Sequence, residues 1–212
     1  MILLRHGESE SNAAGLLVGR SDPQLTDLGK RQARAAGESL AAELARAPRP
    51  NTAPIRPPLL VTSPLERARV TAHIVAEALA EGAGLAVEVS TEERLIELDY
   101  GELDGKALNH VDPVQWAAWR ADPSWRPPGG ETLEEVDARV SVWCESLVDL
   151  RDRDVIAVSH VSPIKSAVGW SIGAGPELSW RLSLGVATLT RIRLSPLGLI
   201  SFGETGHLAS SV

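Results

Sequence analysis

Cysteine is almost absent from this sequence of 212 residues, and Cys144 is the single one. One thiol cannot form an intramolecular disulfide, and it cannot supply the several thiolates of a cysteine-based metal site. The histidines at His73, His110 and His207 also lack the spacing of metal ligands. The sequence therefore predicts neither a metal nor a cofactor, and it excludes chemistry that needs paired thiols.

A long apolar run is missing at the start of the chain, because Met1 to Leu4 is followed at once by Arg5. Such a run is far too short for a signal peptide or a membrane span. We therefore expect a cytoplasmic protein that does not contact a membrane.

An excess of positive charge is absent as well. The chain has 21 Lys and Arg residues against 28 Asp and Glu residues, which gives a formal net charge of -7. Long-range fields of this sign repel nucleic acid and anionic membranes. We expect no nucleic-acid partner, and any anionic substrate must be bound by a local cluster of positive charge.

Periodicity predicts an α/β fold. A hydrophobic content of 43% over 212 residues fits one domain, residues 1–212, with a sizeable core. Helical spacing occurs at Thr26 to Arg46, Leu65 to Leu79 and Leu133 to Leu150. Three apolar runs lack polar alternation and indicate buried parallel strands: Met1 to Leu4, Pro58 to Val61 and Val155 to Val158. The alternation of these strands with the helices predicts a three-layer α/β/α domain with a mostly parallel central sheet.

Other segments are typical of loops and edges. Ala47 to Pro58 is rich in proline and predicts a surface loop, and Ala187 to Gly203 predicts a β-hairpin. Residues of about 106–130 contain Trp116, Trp119 and Trp125 among several prolines. We expect a helical flap there, packed by its tryptophans, that covers a site and sets its specificity.

Polar residues follow each predicted strand at its carboxyl end. The first strand leads into Arg5 and His6, the second into Ser63 and a helix with Arg67, and the third into His160. In open parallel sheets ligands bind beyond the carboxyl ends of the strands. The sequence therefore predicts one pocket with two arginines and two histidines.

Such a pocket suits a phosphoryl group. Arginine offers a permanently charged bidentate fork for anionic oxygens, and helix N-termini near Ser9 and Ser63 add amide donors. Taken alone, Arg67 also fits a solvated helix position, and His160 fits a core histidine. Their convergence favours phosphoryl transfer, which depends mainly on such electrostatic stabilisation.

Ordered motifs over residues 3 to 160 resemble those of the histidine phosphatase superfamily, which has the phosphoglycerate mutase-like fold. These motifs are Leu4 to Glu8 with Ser11 and Asn12, Leu25 to Gly29, Ser63 to Ala72, Leu95 to Gly101 with Gly105, Pro128 to Thr132, and Val158 to His160.

The resemblance implies a role for each matching residue. His6 would be the nucleophile, phosphorylated on a ring nitrogen and then discharged to water. Glu97 would protonate the leaving alcohol and then activate the water. The remaining residues fall into two sets: phosphoryl-oxygen ligands, Arg5, Arg67 and His160, and substrate-binding residues, Asn12, Gly19 and Glu131, the last at the mouth of the site.

Physical chemistry supports these roles. Histidine attacks only when neutral, and neighbouring guanidinium charges disfavour its protonated form. For Glu97, burial near Leu95 and Leu98 is expected to favour the neutral acid.

The resulting hypothesis is a metal-independent phosphomonoesterase of the histidine acid phosphatase type that acts on small-molecule phosphate esters. One alternative is a cofactor-dependent phosphoglycerate mutase, although the segment from Glu102 to Glu131 is poorly cationic for a bisphosphorylated substrate. Another is an inactive member that only binds phosphorylated ligands.

Val161 replaces the glycine common after the motif histidine, and the sequence from Val161 to Lys165 resembles α-ribazole and acid phosphatases. A homodimer is compatible with the sequence.

Overall fold

A computed structural model describes residues 1–46, 56–150 and 153–210 of the chain. The predicted proline-rich loop lies mostly outside the described residues. Among the described residues, none of the helices combines the length and the apolar character that crossing a bilayer requires.

The centre of the fold is a sheet in the order β3-β2-β4-β1-β5-β6, in which the first four strands of that order run parallel. The last two are antiparallel and form the hairpin expected near the end of the described chain. The strands are β1 (Ile2–Arg5), β2 (Leu59–Thr62), β3 (Val89–Thr91), β4 (Val155–Ser159), β5 (Leu189–Leu194) and β6 (Leu197–Glu204).

Helices cover both faces of this sheet, which confirms the three-layer prediction. One face packs on α2 and α3 through Leu40, Val75 and Leu79, and the other packs on α5 and α6 through Val140 and Ile164. The helices are α1 (Glu10–Ala13), α2 (Asp27–Arg46), α3 (Glu66–Ala83), α4 (Pro113–Ala121), α5 (Leu133–Glu145) and α6 (Val161–Ile172).

Helix α5 is shorter than predicted, because the expected helix extended to Leu150. It ends at Glu145, and the chain continues in turns. The Ser146 hydroxyl donates to the Trp143 carbonyl at 2.6 Å. A serine hydroxyl that bonds to a nearby backbone group competes with helix propagation, and this accounts for the stop.

The flap residues pack as a tryptophan cluster. Trp119 is 1% exposed, and its ring centroid lies 5.3 to 5.5 Å from those of Tyr100, Trp116, Trp125 and Trp180. Helix α4 carries Trp116 and Trp119, and Trp180 lies in the 3-10 helix Pro176–Arg181. The cluster therefore fixes the flap against that short helix.

Two glycines let the chain after β1 lie directly on the start of α2. A Cβ on Gly7 would meet the Gly29 carbonyl oxygen at 2.2 Å, and one on Gly29 would meet the Glu8 carbonyl oxygen at 2.0 Å. The Thr26 amide donates to the same Glu8 carbonyl at 2.9 Å. Only glycine permits this approach, which sets the path of the residues that follow β1.

We predict that Gly29→Ala lowers the free energy of unfolding by about 1–3 kcal/mol, as overpacking of a rigid site does. Gly206→Ala is the control, because a Cβ there meets nothing within 4 Å, and its effect should stay within about 0.5 kcal/mol. Urea unfolding of both variants measures the difference. Equal stability of the two would contradict the backbone contact described above.

Candidate active site

The topology brings the carboxyl ends of β2, β4 and β1 side by side. Arg5 ends β1 and His6 follows it, Arg67 lies in the first turn of α3 after β2, and His160 follows β4. The rings of His6 and His160 have centroids 5.0 Å apart, and Arg67 Nε lies 3.3 Å from His6 Nε2. The residues that the sequence placed in one pocket therefore do converge.

The tautomer of His6 follows from its contacts. Its Nδ1 lies 2.7 Å from the Gly7 carbonyl oxygen, which can only accept a hydrogen bond. Nδ1 must therefore carry the hydrogen, and Nε2 carries the lone pair. The Arg67 Nε–H group donates to that lone pair at 3.3 Å.

The charge state of His6 agrees with this tautomer. Burial, followed by the charges of Arg5 and Arg67, lowers the pKa of His6 well below its ordinary value. The expected guanidinium effect is present, although burial is the larger cause. His6 is therefore a neutral imidazole at neutral pH.

Backbone carbonyls hold the two guanidinium groups. Arg67 is 1% exposed and donates to the carbonyls of Ser21 and Gly19, both at 2.7 Å. Arg5 donates to the Leu184 carbonyl, also at 2.7 Å. The reading of Arg67 as a solvated helix position is therefore wrong, because its whole guanidinium is enclosed.

Two buried nitrogen atoms around His6 lack a partner within the described ranges: Arg5 Nε and His160 Nδ1. His160 Nε2 contacts the Ser63 hydroxyl at 2.7 Å, and burial with the charge of Arg67 lowers the pKa of His160. Unpaired buried polar groups are costly, and a bound ligand or ion is one kind of partner that satisfies them. Their position beside two arginines indicates an anion.

Glu97 is 3% exposed and accepts hydrogen bonds from the amides of Leu98, Val161 and Ser162 at 2.7, 3.1 and 3.2 Å. The last two amides belong to the first turn of α6. The Val161 amide thus binds Glu97, not the anion position. Both carboxylate oxygens of Glu97 therefore accept hydrogen bonds from backbone amides.

The predicted substrate-binding residues have different surroundings. Asn12 lines the cavity beside His6, and its Oδ1 accepts from the Ser9 amide at 3.1 Å. Gly19 instead contacts Arg67 through its carbonyl. Glu131 lies in an ion-pair network with Arg139 at 2.8 Å and Arg20 at 3.5 Å, and it is not among the described residues that line the cavity.

Asp104 is a residue that sequence reasoning missed. Its carboxylate accepts from the Gly19 amide at 3.0 Å, the Ser21 amide at 2.8 Å and the Ser21 hydroxyl at 2.7 Å. The same two residues supply the carbonyls that hold Arg67. Asp104 therefore orients a guanidinium that it does not touch, and only the glycine after it, Gly105, distinguishes it from a surface acid in the sequence.

The cavity beside His6 has a volume of about 480 Å³, and Arg5, His6, Asn12 and Glu97 are among its lining residues. A larger cavity of about 650 Å³ lies at the opposite end of the sheet, around Met1 and Asp154. It shares no lining residue with the site. No group of three or more potential metal ligands is clustered within the described part of the chain.

Comparisons with known proteins find a matching family model and several relatives. A family model described as the histidine phosphatase superfamily (branch 1) matches residues 1–199. A bifunctional protein of Mycobacterium tuberculosis is 35% identical over 215 residues, which cover 98% of this chain and 54% of that protein. The chain thus spans about half the length of that relative.

Two further matches extend over nearly whole chains. A 2,3-bisphosphoglycerate-dependent phosphoglycerate mutase of Brucella ovis is 32% identical, and the match covers 91% of both chains. A structure of a mycobacterial glucosyl-3-phosphoglycerate phosphatase with VO3 superposes with a TM-score of 0.78 and 28% identity, covering 97% of this chain and 99% of that one.

We predict that the two buried histidines make stability fall in acid. Their pKa values are lowered in the folded state, so below about pH 6.5 protons bind first to the unfolded chain. The free energy of unfolding should then decrease by up to about 1.4 kcal/mol per pH unit for each histidine, until the folded-state pKa is reached.

Urea unfolding between pH 7.5 and 5.5 measures this slope. The double variant with His6→Asn and His160→Asn should show a shallower slope than the wild type. The exposed His73 on α3 provides the control, because His73→Asn should leave the slope unchanged. A double variant with the wild-type slope would contradict the prediction.

Proposed function

Because the chain belongs to the histidine phosphatase superfamily (branch 1), we propose that it hydrolyses small phosphate monoesters through a phosphohistidine at His6. One observation carries this proposal above the others. It is the unprotonated Nε2 of a buried, neutral His6, with the guanidinium of Arg67 at 3.3 Å and that of Arg5 next to it in the chain.

In the first step the Nε2 lone pair attacks phosphorus and the bond from phosphorus to the ester oxygen breaks. Glu97 gives its proton to the departing oxygen, which leaves as the alcohol. The hydrogen bond from Nδ1 to the Gly7 carbonyl stabilises the positive charge that develops on the ring. Arg5, Arg67 and His160 hold the phosphoryl oxygens, so the site needs no metal to offset their charge.

In the second step water attacks the phosphohistidine, the bond from phosphorus to nitrogen breaks, and the Glu97 carboxylate takes a proton from the water. His6 returns to its neutral form with the lone pair on Nε2. The amides of Leu98, Val161 and Ser162 fix the position of the Glu97 carboxylate for this second role. Glu97 thus acts as acid and base in turn, as the histidine acid phosphatase type requires.

Phosphoglycerate mutase activity is a second candidate, because the Brucella relative is 32% identical over 91% of both chains. A mutase must retain a bisphosphorylated acid, which calls for cations near the cavity. Arg126 forms an ion pair with Glu135, with Nη2 and Oε1 2.6 Å apart. Arg120 lies over the Trp116 ring, with its Cζ 5.5 Å from the ring centroid. Neither is a lining residue of the cavity, so hydrolysis is the better supported reaction.

We predict that a quenched reaction with an aryl phosphate traps an acid-labile, alkali-stable phosphohistidine. His6→Ala should abolish the trapped species and lower kcat by at least about 10³-fold, since a missing nucleophile removes the covalent route. Glu97→Gln should lower kcat by about 10²–10⁴-fold and still bind phosphate.

His73→Ala serves as the control and should keep wild-type turnover, because His73 is exposed on α3. Assays with 3-phosphoglycerate and its bisphosphate cofactor separate hydrolysis from mutase activity. Wild-type turnover by His6→Ala, or phosphate binding without any trapped phosphohistidine, would refute the proposed function.

A further inference from the structure

The walls of the cavity beside His6 carry information about the part of the substrate that is not phosphate. We propose that the natural substrate is a phosphomonoester of an apolar alcohol or phenol without a second anionic group. This inference rests on the proposed phosphatase function and names its substrate class.

Apolar side chains dominate the cavity away from the catalytic groups. The volume of about 480 Å³ is sufficient for a leaving group of the size of an aromatic ring system. Outside Arg5, His6, Glu8, Asn12, Gly15 and Glu97, its lining consists of Leu16, Leu17, Val18, Tyr100, Leu108, Val161 and Val186.

Backbone pairing fixes the apolar wall. The Leu17 amide donates to the Lys106 carbonyl at 2.8 Å, and the Gly105 amide donates to the Leu17 carbonyl at 2.9 Å. Leu16 and Ala107 form an antiparallel bridge between these two segments. Leu16 from one loop and Leu108 from the flap are therefore held at the same cavity by main-chain hydrogen bonds.

Leu108 is the most informative member of this wall. It is 47% exposed although it borders the cavity, so the fold does not bury it. Covering such a side chain with an apolar ligand group contributes favourable free energy through the hydrophobic effect. A leaving group that packs on Leu108 would cover it.

The charges of the cavity disfavour a second anion. Among its described lining residues Arg5 alone is cationic, and the phosphoryl group occupies it. Glu8 lines the same cavity and accepts from the Thr26 hydroxyl at 2.8 Å. A carboxylate or second phosphate would meet Glu8 without a compensating cation.

A nearby lysine is not a lining residue of this cavity. Lys165 is half-buried, its ammonium group donates to the Ser179 carbonyl at 2.8 Å, and it lines a neighbouring cavity of about 60 Å³ that shares Tyr100 and Val161 with the cavity beside His6. Lys106 is exposed and contributes its carbonyl, not its side chain, to the apolar wall.

The test compares kcat/KM for 1-naphthyl phosphate, glycerol phosphate and 3-phosphoglycerate. Wild type should favour 1-naphthyl phosphate over 3-phosphoglycerate by at least about 10²-fold, which is the effect expected of one apolar contact and one unpaired charge. Leu108→Ser should lower kcat/KM for 1-naphthyl phosphate by about five- to twentyfold, the loss expected for a half-exposed leucine. Inhibition by inorganic phosphate should stay within about twofold, since the phosphoryl ligands are untouched.

Val114→Ser is the matched control, because Val114 lies on the same flap, is 74% exposed and is not a lining residue. It should leave all three kcat/KM values unchanged. Leu108→Arg adds a cation at the cavity. It should therefore lower the ratio of kcat/KM for 1-naphthyl phosphate to kcat/KM for 3-phosphoglycerate.

The outcomes separate the two proposals. Preference for 3-phosphoglycerate, or equal effects of Leu108→Ser and Val114→Ser, would overturn the apolar substrate class and leave the phosphatase intact. Absence of turnover with all three esters, together with no phosphohistidine, would overturn both.

Discussion

Two guanidinium groups, that of the buried Arg67 and that of the half-buried Arg5, lie around one neutral imidazole, and the rest of this structure depends on that constraint. Arg5 and Arg67 are held mainly by backbone carbonyls, and the Asp22 carboxylate lies 3.6 Å from Arg67. A carbonyl satisfies an N–H donor without cancelling its positive charge, whereas a tightly bound carboxylate would cancel it. The site therefore keeps its charge for an incoming anion, and that same charge helps to keep His6 unprotonated.

Most of the fold could be predicted from the sequence, because three strands are uninterrupted apolar runs and each is followed by polar residues. β3 was missed since Ser90 and Thr91 are exposed at the edge of the sheet and leave no hydrophobic pattern. α6 was missed for the opposite reason. Most of its residues are buried, so its apolar residues form no one-sided stripe.

The chemistry of the site was predictable where residues lie at strand ends, and less so where loops come together. His6, Arg67 and His160 were found because the topology of a parallel sheet dictates their meeting. The wall formed by Leu16 and Leu108 depends on pairing between two distant loops, which no local pattern indicates. The hydrogen bonds of Glu97 likewise depend on the start of a helix that was not predicted.

Asp104 has a consequence for how this scaffold can be altered. It lies at the start of the flap and binds the loop of Gly19 and Ser21, which in turn holds Arg67. The residues that follow it pair with Leu17 and Gly15, which precede Gly19 in the same loop, and this pairing ends at Leu108. The flap beyond Leu108 is therefore the part that can be exchanged for one that accepts a different alcohol while the hydrogen bonds that position Arg67 are retained.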